Sequence, residues 1–147
     1  MALITLTSDI GSPDYLVGAI KAQLLRLIPN AQIIDISHAI PPFNYPQASY
    51  VCRSAIQHFP SHTFHVILVD LFANPSNHLV LAFHQNQYFL CANNGLLSMI
   101  LEGTPEMVVG ISMDPTITKT TLQITESMGL VINKLDQGTS IKEVGAE

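Results

Sequence analysis

Short apolar runs alternate along the chain with segments whose apolar residues recur every three or four positions. The runs predict strands over residues 2–7, 32–36, 64–69, 79–83, 87–91 and 107–111. Apolar residues recur at helical spacing in three segments, at residues 16–28, 48–59 and 124–135, and each segment indicates a helix. Because strands and helices alternate and the strands are nearly all apolar, the pattern predicts an α/β fold, a three-layer, mostly parallel sheet with helices on both faces.

Capping residues indicate where two of the helices begin. Ser12 suits the N-cap of the first helix, with Pro13 at the first helical position and Asp14 at the positive end of the helix dipole. Asn93-Asn94 suits the N-terminus of a further short helix that ends at Glu102.

Polar residues directly follow several of the predicted strands. Asp9 follows the first strand, Ser37-His38 the second, Asp70 the third and Asn93-Asn94 the fifth. Ligands of open parallel sheets bind outside the carboxyl ends of the strands. These residues are therefore the first candidates for a functional site.

The residue types leave two interpretations open at each candidate. The carboxylate of Asp9 suits the two hydroxyls of a ribose, or it caps the turn at Ser12. Asp70 orients or deprotonates a water molecule, or it closes the loop that follows it. His38 is a catalytic base or, more commonly for a lone histidine, a hydrogen-bonded structural residue. Phe43 stacks on a ligand, or it packs its proline-rich loop down.

Composition and spacing exclude several other functions. The chain has 147 residues, a net charge of -5 and six scattered Lys and Arg residues, so no basic stripe is present for nucleic acid. No apolar run approaches the roughly 20 residues that span a membrane. The histidines and cysteines lack metal-ligand spacing and no glycine-rich phosphate loop occurs, so we expect no metal and no dinucleotide cofactor. Cys52 and Cys91 are expected to be buried free thiols, and the protein is expected to be cytoplasmic.

Several segments, in order, carry a resemblance to one known family. They are Thr7-Ser8-Asp9-Ile10-Gly11, Gly18-Ala19-Ile20-Lys21, Pro29-Asn30-Ala31, Ile34-Asp35-Ile36-Ser37-His38, Ile40-Pro41-Pro42, Val69-Asp70, Asn94-Gly95-Leu96-Leu97 and Glu143-Val144-Gly145. Together they cover nearly the whole chain, and they resemble the S-adenosylmethionine (SAM) hydroxide adenosyltransferase family, relatives of the fluorinating and chlorinating adenosyl enzymes.

The resemblance implies that residues 1–147 are the amino-terminal α/β domain of such a protein. By the same resemblance, we expect the family's small carboxy-terminal β-barrel domain to be absent from this chain. Family members are homotrimers with sites between subunits, which implies a small adenosyl ligand, with SAM as substrate and no other cofactor. By position, Asp9 is expected to hold the ribose, Phe43 and Asn94 to contact the substrate, and Asp70 to act in catalysis.

The resemblance also implies that the catalytic set is incomplete. Hydrolase members use an Asp, an Arg and a His, of which Asp70 alone is matched. The Arg position falls near Asn77, with His78 beside it, and the block that carries the His falls on Gln123-Ile124-Thr125-Glu126. We therefore expect an impaired hydrolase that cleaves SAM to adenosine and methionine by water attack at ribose C5′.

Two alternatives to hydrolysis stay open, a non-catalytic SAM- or adenosine-binding module and a structural remnant that serves oligomer contacts. Halogenation is disfavoured, because the carboxylate of Asp70 would repel a halide ion.

Overall fold

The structure is a computed structural model that describes residues 2–11, 13–72, 78–114, 116 and 119–145. The strands are β1 (Leu3–Ser8), β2 (Gln32–Ser37), β3 (Thr63–Leu68), β4 (His78–His84), β5 (Gln87–Ala92) and β6 (Met107–Ser112). The helices are α1 (Leu16–Leu27), α2 (Tyr45–Ile56), α3 (Leu96–Ile100), α4 (Thr121–Asp136) and α5 (Ile141–Val144).

The strands form one sheet in the order β2-β1-β3-β5-β4-β6. Strands β2, β1, β3 and β5 are mutually parallel, while β4 is antiparallel to both of its neighbours, β5 and β6. The sheet is therefore mostly parallel, as the sequence predicts. Strand β4 folds back on β5 because the two form a hairpin at Gln85 and Asn86, which both adopt positive φ angles.

Helices cover both faces of the sheet and confirm the predicted three layers. Helices α1 and α4 pack on one face, where Leu24 and Met128 join the core of β1 and β3. Helices α2 and α3 pack on the other face, where Cys52 and Ile100 contribute to a second core. Both cysteines are buried free thiols, as predicted, and burial raises the pKa of Cys91 to about 12.

Strand β2 differs from its predicted burial. Its residues were expected inside a sheet covered on both faces, yet Gln32, Ile34 and Asp35 are exposed, Ile34 by 43%. The strand is at the edge of the sheet, where one side lacks a neighbouring strand. The pairing of β1 with β2 contains a bulge near the carboxyl ends of both strands, because Leu6 pairs with Asp35 whereas the next residue, Thr7, pairs with Ser37.

Helix α1 begins at Leu16, so the prediction of Pro13 as its first residue is wrong. Pro13 to Tyr15 form a bend, and Tyr15 is the N-cap without a side-chain bond. The carboxylate of Asp14 accepts the N–H of Tyr15 at 2.7 Å, and such local bonding competes with helical geometry. The predicted cap, Ser12, lies outside the described residues.

Two other helix boundaries also shift. Helix α3 has Gly95 as its N-cap, at a φ of +85°, and it ends before the predicted Glu102. Asn94 still contributes, because its side-chain oxygen accepts the N–H of Leu96 at 3.0 Å. Helix α2 ends before Phe59, which lies beyond its last turn.

His65 is a buried titratable group in the middle of the sheet. Its Nδ1 bonds the hydroxyl of Thr5 at 2.7 Å, and its Nε2 bonds the side-chain oxygen of Gln87. The amide of Gln87 donates to two backbone carbonyls, so its oxygen accepts and Nε2 of His65 carries the proton. Burial lowers the pKa of His65 to about 4, against a small opposing effect of Gln87.

This burial predicts acid sensitivity. The pKa of His65 is lower in the folded protein than its ordinary value of 6.5. Between pH 6.5 and pH 4, His65 is therefore protonated in the unfolded chain but neutral in the folded protein. The contribution of His65 to the free energy of unfolding is therefore fully present above pH 6.5. As the pH falls toward 4, the free energy of unfolding decreases by about 2–3 kcal/mol. Urea unfolding across this window should show a shallower pH dependence for His65→Phe than for wild type. The exposed His58→Phe is the control, and an equal slope in all three proteins would contradict the prediction.

Candidate functional site

The candidate residues meet where the chain reverses its direction across the sheet. From β1 the chain crosses through α1 to β2, and it then returns through α2 to β3 on the other side of β1. The carboxyl ends of β1 and β3 are therefore a topological switch point, the usual ligand position in open α/β sheets. Asp9 directly follows β1, and Asp70 lies two residues beyond β3.

The two carboxylates belong to one hydrogen-bonded unit. The N–H of Asp9 donates to the carbonyl of Leu68 at 3.2 Å, and the N–H of Asp70 donates to Oδ2 of Asp9 at 2.9 Å. Asp70 has a φ of +50°, which is uncommon for a residue other than glycine. Backbone strain of this kind clusters at functional sites. The side chain of Asp9 thus helps to hold the backbone that carries Asp70.

Two further side chains fix Asp70. The hydroxyl of Tyr45 donates to Oδ2 of Asp70 at 2.6 Å. The side-chain amide of Asn94 donates to the carbonyls of Val69 at 2.8 Å and Asp70 at 3.2 Å. Burial raises the pKa of Tyr45 to about 12, and the hydrogen bond to Asp70 and the charges of Asp70 and Asp9 add to it. Tyr45 is consequently a protonated donor at neutral pH.

A cavity of about 330 Å³ opens beside these carboxylates, at the lower end of the range that small ligands occupy. Its lining residues are Asp9, Ile10, Phe43, Asp70, Leu71, Phe72 and Thr121. Among the described residues, this lining combines apolar walls with two carboxylates and no Lys or Arg. It suits a ligand with an apolar body, hydroxyls and a positive charge.

Aromatic rings flank the cavity. Phe43 is 76% exposed and Phe72 is 57% exposed. The exposed ring of Phe43 does not pack the loop against the protein, the alternative to stacking on a ligand. It also has a φ of +64°, a left-handed conformation within the loop between β2 and α2. Its ring is available to contact a ligand in the cavity.

His38 lies near the same loops in a chain of polar contacts. Its Nδ1 bonds the hydroxyl of Ser8 at 2.5 Å, and its Nε2 bonds Asp35 at 2.8 Å. Asp35 in turn pairs with Lys21. Partial burial raises the pKa of Asp35, but the hydrogen bonds and charges of Lys21 and His38 outweigh it and hold the pKa below its ordinary value.

Ser8, His38 and Asp35 are the residue types of a catalytic Ser-His-Asp triad, but the serine is not accessible to a substrate. The side chain of His38 is 8% exposed, and Ser8 is fully buried, so a substrate has no path to the serine hydroxyl. The backbone carbonyl of His38 also accepts the N–H of Gly11 at 2.9 Å. His38 therefore anchors the loop that carries Asp9, which fits the structural alternative for this histidine.

The positions that the resemblance assigns to the family's Arg and His have ordinary structural roles or lie outside the described residues. Asn77 is outside the described residues, as is the side chain of His78. Gln123 forms a capping box with Thr120 at the start of α4. Thr125 is buried and donates to Gln23 at 2.5 Å.

Sequence reasoning did not single out Tyr45 or Thr121 as site residues. Tyr45 follows the loop after β2, and loops after parallel strands lie at the ligand edge, so its position gave a weak signal. Thr121 had no comparable signal, because the packing of α4 beside α1 brings it to the cavity.

A larger cavity, of about 410 Å³, lies near the amino end of β5 and is a poorer candidate. Two of its polar side chains, those of Arg53 and Gln87, are already bonded within the protein. Arg53 donates to the carbonyls of Met99 and Ile100 at the end of α3, and Gln87 is bonded as described above.

Within the described ranges, no group of three His, Cys, Asp or Glu side chains could hold a metal ion. No helix in the same ranges is long and apolar enough to cross a membrane.

The fold and the site define a class of protein, an α/β protein with an acidic cavity at its switch point. The model of the SAM hydroxide adenosyltransferase N-terminal domain matches residues 4–145. The chain therefore belongs to the SAM hydroxide adenosyltransferase family.

Named relatives agree with this membership. The chain is 35% identical over 105 residues to an (R)-S-adenosyl-L-methionine hydrolase from Methanocaldococcus jannaschii. This match covers 68% of this chain and 40% of that protein. It is 30% identical over 94 residues to a hydrolase of the same name from Salinispora arenicola, covering 64% of this chain and 36% of that protein. The chain thus spans less than half the length of these relatives.

The fold is also found in solved structures. The crystal structure of an uncharacterized conserved protein from Thermotoga maritima has a TM-score of 0.83 and 28% identity, and the match covers 98% of this chain and 57% of that one. A conserved hypothetical protein from Thermus thermophilus, at 21% identity and a TM-score of 0.73, shares the fold over 99% of this chain and 58% of its own.

Proposed function

We propose that the protein hydrolyses SAM to adenosine and methionine. The observation that carries this proposal is the pairing of Asp9 and Asp70, which line one cavity and are joined by the 2.9 Å bond from the N–H of Asp70 to Oδ2 of Asp9. Family membership and the name of the relatives, (R)-S-adenosyl-L-methionine hydrolase, support the choice of reaction.

The proposed reaction is a displacement at ribose C5′. Asp9 accepts hydrogen bonds from the ribose hydroxyls, and Asp70 orients a water molecule. The water oxygen forms a bond to C5′ while the C5′–S bond breaks, and its electron pair stays on sulfur to give neutral methionine. The water proton passes to Asp70 and then to solvent. A sulfonium leaving group needs little assistance, so catalysis rests on positioning and activating the water.

The charge of the cavity supports this substrate class over a halide-dependent one. Two carboxylates line the cavity, and among its described lining residues none is cationic. They attract the positively charged sulfonium and repel an anionic nucleophile such as a halide. Phe43 and Phe72 offer ring faces to the adenine or to the sulfonium.

Incubation of the full-length protein with SAM tests the reaction. We expect adenosine and methionine to form in equal amounts, with oxygen from labelled water in the adenosine 5′-hydroxyl. A heat-treated sample controls for spontaneous breakdown. If adenosine forms no faster than in that control, the proposed hydrolysis is rejected.

A binding module without turnover is the second candidate. It is favoured by Gln123 and Thr125, which stand where the family's His block falls and are engaged in helix capping and internal bonding. This candidate requires adenosine or SAM to bind in calorimetry without product formation.

We also propose the assembly that the resemblance implies. In a homotrimer, a neighbouring subunit and a carboxy-terminal domain would cover the exposed rings of Phe43 and Phe72. A cytoplasmic setting, with thiols kept reduced, fits the two free cysteines.

A further inference from the structure

Asp70 needs precise orientation if it is to act on a water molecule. A base must reach the proton it takes within hydrogen-bond distance, and a misplacement of about 1 Å lowers a rate by about 100-fold. The backbone of Asp70 is held by Asp9 and Asn94, but neither bond restrains rotation of its carboxylate. That restraint comes from the hydroxyl of Tyr45 at 2.6 Å from Oδ2.

Tyr45 is itself well placed to act as a rigid support. It is the first residue of α2, directly after the N-cap Asn44, whose side chain accepts the N–H of Gln47 at 3.0 Å. Its ring packs against the core beneath α2 and α3. The capped helix and the packed ring together fix the position of the hydroxyl, so the bond to Asp70 loses little side-chain entropy.

The bond also has suitable chemistry. A hydroxyl that donates to a carboxylate makes a short, charge-assisted hydrogen bond. Burial raises the pKa of Tyr45 to about 12, and the hydrogen bond to Asp70 and the charges of Asp70 and Asp9 act in the same direction. Tyr45 therefore stays a donor over the pH range in which a hydrolase works.

We infer that Tyr45 is a positioning residue of the site, a neutral donor that orients the Asp70 carboxylate toward the water molecule. The inference rests on the proposed hydrolysis and deepens it. Tyr45 acts through Asp70 and does not contact the reacting atoms. Its removal should therefore affect turnover and leave substrate affinity nearly unchanged.

Steady-state kinetics of Tyr45→Phe in the full-length protein tests this role. The substitution keeps the packed ring and removes the donor alone. We expect kcat to fall by about 10- to 100-fold while KM changes by about twofold or less. Tyr50→Phe is the matched control, because Tyr50 lies on the same helix with its side chain 69% exposed, and it should leave both constants unchanged.

A second measurement tests the contact without any turnover. In protein labelled with ¹³C at tyrosine Cζ, the Tyr45 resonance is identified by its loss in Tyr45→Phe. We expect Tyr45 to stay mostly protonated near pH 11 in wild type and to ionise more readily in Asp70→Asn, because the acceptor charge is gone.

The outcomes separate this inference from the proposed reaction. An inactive wild type rejects hydrolysis, whereas an active wild type with equal kcat in Tyr45→Phe and Tyr50→Phe rejects the role of Tyr45 alone. A change confined to KM would make Tyr45 a substrate contact and overturn the inference. Whether or not the wild type is active, a Tyr45 whose ionisation does not respond to Asp70→Asn overturns it too.

Discussion

Replacing Asp9 by alanine should reduce adenosine affinity by at least about 100-fold. A hydrogen bond to a charged group contributes about 1.5–3 kcal/mol, and the proposed ribose contact has two, so their loss weakens binding by about 3–6 kcal/mol. The substitution also removes the acceptor of the Asp70 N–H. Isothermal titration calorimetry with adenosine measures the effect directly and does not depend on catalysis.

Asp14→Ala is the matched control for this experiment. Asp14 lies in the same loop but is exposed, and its carboxylate accepts only the N–H of Tyr15 among the bonds described above. Both variants should keep the melting cooperativity of wild type. Equal affinities for adenosine in wild type, Asp9→Ala and Asp14→Ala would remove Asp9 from the site.

Replacing Asp70 by asparagine should lower kcat for SAM hydrolysis by at least about 100-fold, the usual contribution of a positioned base. Asparagine has nearly the same shape, and its side-chain oxygen can still accept the bond from Tyr45, so the loop should keep its structure. Because Asp70 acts on water and not on the ribose, adenosine affinity should change by about threefold or less.

Asp114→Asn controls for the loss of one negative charge, since Asp114 is exposed and, among the described residues, accepts local bonds from Thr116. It should match wild type in both assays. If Asp70→Asn retains full turnover, the water must be activated by another group, and the proposed assignment of Asp70 is wrong.

Much of the fold follows from local patterns. The apolar runs identified all six strands within about two residues, because a strand buried between two helical layers must be apolar on both faces. Boundaries were less predictable. The start of α1 depends on how Asp14 bonds its neighbour, and the burial of β2 depends on its place at the sheet edge.

The candidate site was predictable in part for the same reason. Asp9, Asp70 and Asn94 follow parallel strands, and parallel strands end at one edge of the sheet, so the order of elements brings these residues together. The sequence leaves two interpretations each for Asp9 and Asp70, because it does not show which atoms a carboxylate contacts. For Phe43 the structure adds its exposure, and its contact with a ligand stays a prediction.

The sequence by itself determined the α/β class, the three layers and the edge at which Asp9 and Asp70 lie, since these depend on periodicity and on residues next to strand ends. The tertiary structure decided the contacts among residues far apart in the chain. The bond from Tyr45 to Asp70 spans 25 positions, and that from Asp70 to Asp9 spans 61. Such contacts depend on strand order and helix packing, which local spacing does not encode.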